Sequence, residues 1–149
     1  MRLTTKAATI YFALVFAAGF VLGTIRTIAL APYLGPALAT ILELPLMLLI
    51  SWLACDWVVN RYAIAPHIKT RVSMGLIAFA LLIAAETALG MLGFGRSLAD
   101  QIAIYRETGP ALGLAAQMAF ALFPIVQARL SVEPGRLQVP SKRPPASSR

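Results

Sequence analysis

The sequence predicts an all-α protein, a polytopic membrane four-helix bundle, and three observations predict it. Apolar residues are in excess, they fall into four separate runs of membrane-spanning length, and the basic residues are kept mostly outside those runs. Of 149 residues, 59% are hydrophobic and 13% charged, whereas a soluble domain carries roughly 25% charged residues. A chain this short buries too little surface to hide so much apolar material from water, so lipid is the expected solvent.

The first run extends from about Ala7 to Ala31, behind Arg2 and Lys6. It outlasts the roughly 7–15 residues of a signal-peptide core and no cleavage-like site follows a short core, so it reads as a retained signal anchor. Pro32, Gly35 and Pro36 leave room only for a tight turn into the second run, Ala37 to Val59. Asn60 to Arg71, with Pro66, reads as a loop before the third run, Val72 to Phe94. Gly95 to Gly109 is the next connection, and Ser97 to Glu107 within it suits a short surface helix. The fourth run is Pro110 to Gln127. Residues 1–130 thus form the expected transmembrane domain. Residues 131–149, rich in Pro, Ser, Lys and Arg, bury too little apolar surface to fold and read as a disordered basic tail.

A formal charge of +7 invites a nucleic-acid reading. The positions of the charges argue instead for topology. Arg2, Lys6, Arg61, Lys69, Arg71, Arg129, Arg136, Lys142, Arg143 and Arg149 fall on one side, and only Arg26, Arg96 and Arg106 on the other. The richer side is expected to be cytoplasmic, placing both termini on the cytoplasmic side of the membrane. The expected partners are the lipid bilayer and a second copy or a larger membrane protein, with no nucleic acid.

A weak internal repeat accompanies this layout. Leu22-Gly23-Thr24-Ile25-Arg26 matches Leu92-Gly93-Phe94-Gly95-Arg96, and Gly35-Pro36-Ala37-Leu38 matches Gly109-Pro110-Ala111-Leu112. Two tandem hairpins in parallel repeat, related by a pseudo-twofold axis along the membrane normal, are one expectation. A chance match in Ala/Leu/Gly-rich sequence is the other.

Ionisable groups at membrane depth are the candidate site. A charge near the bilayer centre costs about 2.5–3.5 kcal/mol on insertion scales, so such groups seek a partner or water. At 1.5 Å per residue, Arg26 and Glu43 lie roughly 7.5 and 9 Å below the outer surface, and Glu86 and Gln117 roughly 12 and 10 Å. The four are expected to form a buried polar cluster. Gln117 should stand opposite Glu43 under the repeat. The cluster is either structural, an ion pair fixing helix register, or ion-binding, because two carboxylates face one guanidinium. Pro45 and Pro124 lack an amide and are expected to kink the second and fourth helices. Gly19 and Gly23 form a G-x-x-x-G suited to helix packing, and Ala84 and Ala88 repeat the spacing. Trp52, Trp57 and Tyr62 suit an interfacial anchor.

Little points to chemistry beyond this. Cys55 is a single cysteine in an apolar run, and His67 is a lone loop histidine, so neither has the companions of a metal site. No metal and no cofactor is expected. No G-x-S-x-G or Walker-type loop occurs, and no histidine lies within a span to activate Ser51 or Thr87, so catalysis is not expected. The stretch Gly19-Phe20-Val21-Leu22-Gly23-Thr24-Ile25-Arg26 through Glu43-Leu44-Pro45 resembles small uncharacterised four-span inner-membrane proteins of bacteria, a resemblance that implies no activity. The small fluoride channels are similar in size and span count alone. Two roles follow from the residues: a packing or accessory component of the inner membrane, or an oligomeric channel or carrier for protons or a small cation.

The topology has a direct check. In a Cys55→Ser background, a cysteine at position 97 should be labelled by an impermeant thiol reagent in intact cells, and one at position 141 should not. The reverse pattern would falsify the orientation.

Overall fold

The computed structural model describes residues 2–132; the predicted basic tail lies, from residue 133 onward, outside the described residues. Four helices are long and apolar enough to cross a membrane: Arg2–Leu34, Pro36–Arg61, Ile68–Gly93 and Thr108–Leu130, here spans 1 to 4. Only 17–22% of each apolar window is buried inside the protein. Large side chains such as Leu14, Leu49, Leu53, Leu76 and Leu122 point outward, about half exposed. Such a surface is stable in hydrocarbon and not in water. The fold is that of an integral membrane helical bundle.

Span 1 is built from α1 (Arg2–Ile25), a five-residue π turn (Arg26–Leu30) and the short α2 (Ala31–Leu34). The wider turn lets the Ala31 amide reach back to the Arg26 carbonyl. It lies directly before Pro32, which cannot donate and would crowd the carbonyl four residues back. Pro32 therefore sits inside a helix and not in the turn as expected. The turn itself is one residue, Gly35, at φ +76° and ψ 159°, a conformation essentially closed to residues with a Cβ. Pro36 then opens α3 (Pro36–Arg61) where its missing amide costs nothing. Span 3 is α4 (Ile68–Ala88) followed by a second π turn (Leu89–Gly93), and α6 (Thr108–Val132) provides span 4.

Each span packs against two others, so the cyclic order around the bundle is 1, 2, 4, 3. Spans 1 and 3 run parallel and touch, as do 2 and 4. The two hairpins are therefore side by side. A twofold axis along the membrane normal, as the repeat suggested, would put span 1 diagonally across from span 3, and the observed order does not have it. The repeated segments do share local form: each odd span carries a π turn toward the end remote from the chain termini, and each even span carries a proline in its first turn.

The core occupies the half of the bundle nearer the chain termini. Ala7, Ala8 and Tyr11 of span 1 meet Cys55 and Val58 of span 2, Met74 and Ala78 of span 3 and Phe120 of span 4. Gly75 allows the closest approach, since a Cβ there would overlap the Ala121 carbonyl oxygen. Arg71, expected in a loop, is buried in the first turn of α4. Its Nη2 donates to the Ile64 carbonyl at 2.9 Å and its Nε to that of Ala65 at 3.2 Å, closing the 62–67 connection. Trp57 faces outward, and Trp52, half-buried, meets Phe123 edge-on at 5.3 Å.

One polar contact crosses the centre of this core. Pro124 lies inside α6 and has no amide for the carbonyl four residues earlier, that of Phe120. Tyr11, fully buried in span 1, donates its hydroxyl to that carbonyl at 3.0 Å, and its ring stacks on Phe120 with centroids 4.3 Å apart. Both prolines expected to kink, Pro45 and Pro124, lie within helices that continue through them.

Tyr11→Phe should therefore leave the Phe120 carbonyl unmet and cost about 1–3 kcal/mol. In a Pro124→Ala background, where an amide returns, the same substitution should cost less by about 1 kcal/mol. Unfolding of the detergent-solubilised variants measures both. Equal losses in the two backgrounds would rule out the assignment.

Candidate functional site

Opposite the packed half, at the end remote from the chain termini, the four spans enclose a cavity of ≈ 500 Å³. Its walls come from all four spans and its roof from the connection between spans 3 and 4. Glycines account for part of the space. Gly19, Gly23 and Gly113 line it without side chains, and a Cβ at Gly113 would meet nothing within 4 Å. A Cβ at Gly23 would meet only Arg26 Nη2, at 4.0 Å, whereas one at Gly19 would crowd Met47 Cε of span 2 at 3.3 Å. Ala84 and Ala88 are exposed and pack no helix.

The four expected polar residues all line this cavity, as two pairs instead of one cluster. Arg26 Nε lies 2.6 Å from Glu43 Oε2, with the side chains 29% and 14% exposed. Arg26 Nη1 donates to Thr40 Oγ1 at 3.2 Å, and that hydroxyl donates to the Pro36 carbonyl at 2.8 Å. The guanidinium thus ties the end of span 1 to the first turns of span 2. In the second hairpin, Gln117 Nε2 donates to both oxygens of Glu86, at 2.6 and 2.7 Å. Gln117 therefore pairs with Glu86 and not with Glu43. The hairpin partner is nearer than the residue equivalent by repeat, and Glu43 is already held by Arg26.

The roof is a feature the sequence showed only as a short surface helix. It consists of α5 (Leu98–Ala103) and one 3₁₀ turn (Ile104–Arg106). Ser97 and Asp100 form a capping box: Ser97 Oγ donates to Asp100 Oδ2 at 2.6 Å and accepts from the Asp100 amide at 3.2 Å. The Ser97 hydroxyl, then its amide, hold the Asp100 carboxyl below the ordinary carboxylate range. Gln101, Ile104 and Tyr105 face the cavity, and Gln101 lies on the buried Gly90 at the second π turn. Burial first, and then the charge of Glu86, hold the Tyr105 phenol above its ordinary range, which places the ring in the field of that carboxylate.

Chemically, the cavity wall carries three carboxylates, Glu43, Glu86 and Glu107, against two guanidinium groups, Arg26 and Arg96. Among the described residues no group of three His, Cys, Asp or Glu side chains converges as a metal site would require. His67 is exposed before α4 and Cys55 is buried in the core, both at the other end of the bundle. No protein-family model, curated protein or solved structure matches the chain. The site is therefore read from its own residues.

A double-substitution cycle measures the first pair. Arg26→Leu and Glu43→Leu should each cost about 2 kcal/mol, less than the ~3–5 of a fully buried pair because Arg26 is partly exposed. The double variant should recover part of the sum. Strictly additive losses would show that the two charges do not act together.

Proposed function

We propose that the protein is a membrane channel or carrier unit that takes up a proton or small cation in its cavity, with Glu86 as the exchanging group. One observation carries this reading. Among the described residues, the hydrogen-bond partner of the Glu86 carboxylate in the cavity is the neutral amide of Gln117, while Arg26 is committed to Glu43 and Thr40. A negative charge so placed, without a protein cation beside it, attracts a mobile one. In the orientation favoured by the Lys and Arg distribution, the cavity lies toward the outer face of a bacterial inner membrane. We assign no catalysis to the site.

The packing or accessory reading draws on the Arg26–Glu43 pair, which joins the two helices of one hairpin as polar groups commonly do in membranes. It does not use the cavity. The two readings part at Glu86, because packing is served by any hydrogen-bonding side chain there, whereas cation exchange needs the carboxylate.

In proteoliposomes the full chain should show pH-dependent cation flux above that of empty vesicles, followed with an internal pH-sensitive dye. Glu86→Gln, which keeps a hydrogen-bonding partner for Gln117, should abolish it without lowering thermal stability. Flux unchanged by Glu86→Gln, or wild-type vesicles indistinguishable from empty ones, would return the protein to the packing reading.

A further inference from the structure

The end of the bundle nearer the chain termini gathers cations around one tyrosine. Tyr62 caps α3 and packs, half-buried, against the core, so its ring is fixed where span 2 ends. Lys6 Nζ of span 1 lies 5.6 Å from the ring centroid and Arg61 Cζ of span 2 lies 5.9 Å from it, both within cation–π range. Two exposed cations from different helices are thereby brought to one place. Arg2 stands one turn before Lys6 on the same face of α1. Like charges so placed repel each other, and the ring offsets this only in part. Among the described residues neither Lys6 nor Arg61 meets a carboxylate, and the Arg26–Glu43 ion pair lies at the other end. An anion from outside the chain would balance them.

The surface beside these cations suits lipid. Arg2, Thr5, Lys6, Thr9 and Ile10 line an open hollow on α1. It passes from charge through hydroxyl to apolar side chain within about 12 Å of helix, and the neighbouring Leu3 and Leu14 are exposed. A phospholipid presents the same order from the water inward: phosphate, ester region, acyl chain. Arg2, Lys6 and Arg61 stand at the ends of their spans, at headgroup depth. A soluble anion would meet the charge and make no use of the apolar wall.

We infer that this surface is a binding site for an anionic phospholipid, with the headgroup phosphate between Lys6 and Arg61, Arg2 adding charge at the rim, and an acyl chain descending past Ile10. Basic pockets at the ends of transmembrane helices bind anionic headgroups in this way. The free oxygens of one phosphate accept from an ammonium and a guanidinium at once. The site is remote from the cavity and independent of the cation reading.

Trp57, one turn before Arg61 on the same face and about half exposed, reports on it. The full chain in a Trp52→Phe background is reconstituted in phosphatidylcholine vesicles that contain a small fraction of brominated phosphatidylglycerol or of brominated phosphatidylcholine. The anionic lipid should quench Trp57 with a relative association constant at least about fivefold higher, the factor that about 1 kcal/mol from one interfacial cation gives. Lys6→Gln combined with Arg61→Gln should bring the ratio close to one with the thermal midpoint unchanged, since both side chains are exposed. Lys69→Gln combined with Arg129→Gln removes the same charge from exposed positions at the same end and should leave the ratio unaltered. A ratio near one in the parent, an unaltered ratio without Lys6 and Arg61, or an equal loss without Lys69 and Arg129 overturns the inference, the last by showing diffuse surface charge and no site. A preference that inorganic phosphate removes, at an ionic strength where chloride does not, would assign the cations to a free anion and likewise overturn it.

Discussion

A backbone carbonyl released by proline has no water to turn to in hydrocarbon, and the bundle is arranged around meeting that demand. Pro124 frees the Phe120 carbonyl and Tyr11 supplies the donor. The bond joins spans 1 and 4, which stand on the diagonal of the bundle, so it fixes how far the other two spans are held apart. Ala7, Ala8, Gly75 and Ala78 then let the helices close around the Tyr11 and Phe120 rings. Packing in the lipid phase rests on such close contact, because apolar burial alone drives nothing between helices there.

The same constraint divides the molecule into a packed half and a hollow one. Small residues in the first half face backbone, as Gly75 faces Ala121. In the second half Gly23 and Gly113 leave space open, and the wall is set by Arg26, Glu43, Glu86 and Gln117, which pair across each hairpin. These long polar side chains bridge spans without filling the gap between them. The roof closes over that gap because Ser97 and Asp100 start a helix at its edge and Gly90 leaves room for Gln101.

Much of this was legible in the sequence, and the misses have physical causes. The four spans follow from apolar length alone. Arg26 and Glu43 were found together because a short turn fixes the relative depth of two helices in one hairpin. Gln117 was placed opposite Glu43 by the repeat, but depth says nothing about which helix faces which. Gly19 and Gly23 share a packing spacing, but the closest backbone approach is at Gly75, which has no companion at that spacing. Arg71 ends the stretch that the sequence reads as a loop, and one basic residue beside another gives no sign that one of them turns inward to loop carbonyls. The role of Tyr11 required knowing that its hydroxyl meets Phe120, four residues before a proline more than a hundred positions away.

The two hairpins solve the problem of polar groups in lipid differently. In the first, a guanidinium and a carboxylate stand against each other; in the second, among the described residues, a carboxylate meets a neutral amide. Phe120, together with Val15 and Leu82, lines the cavity where it meets the packed half. Phe120 also accepts the Tyr11 bond and stacks on its ring. The contact that holds the bundle together is therefore also the floor of the cavity.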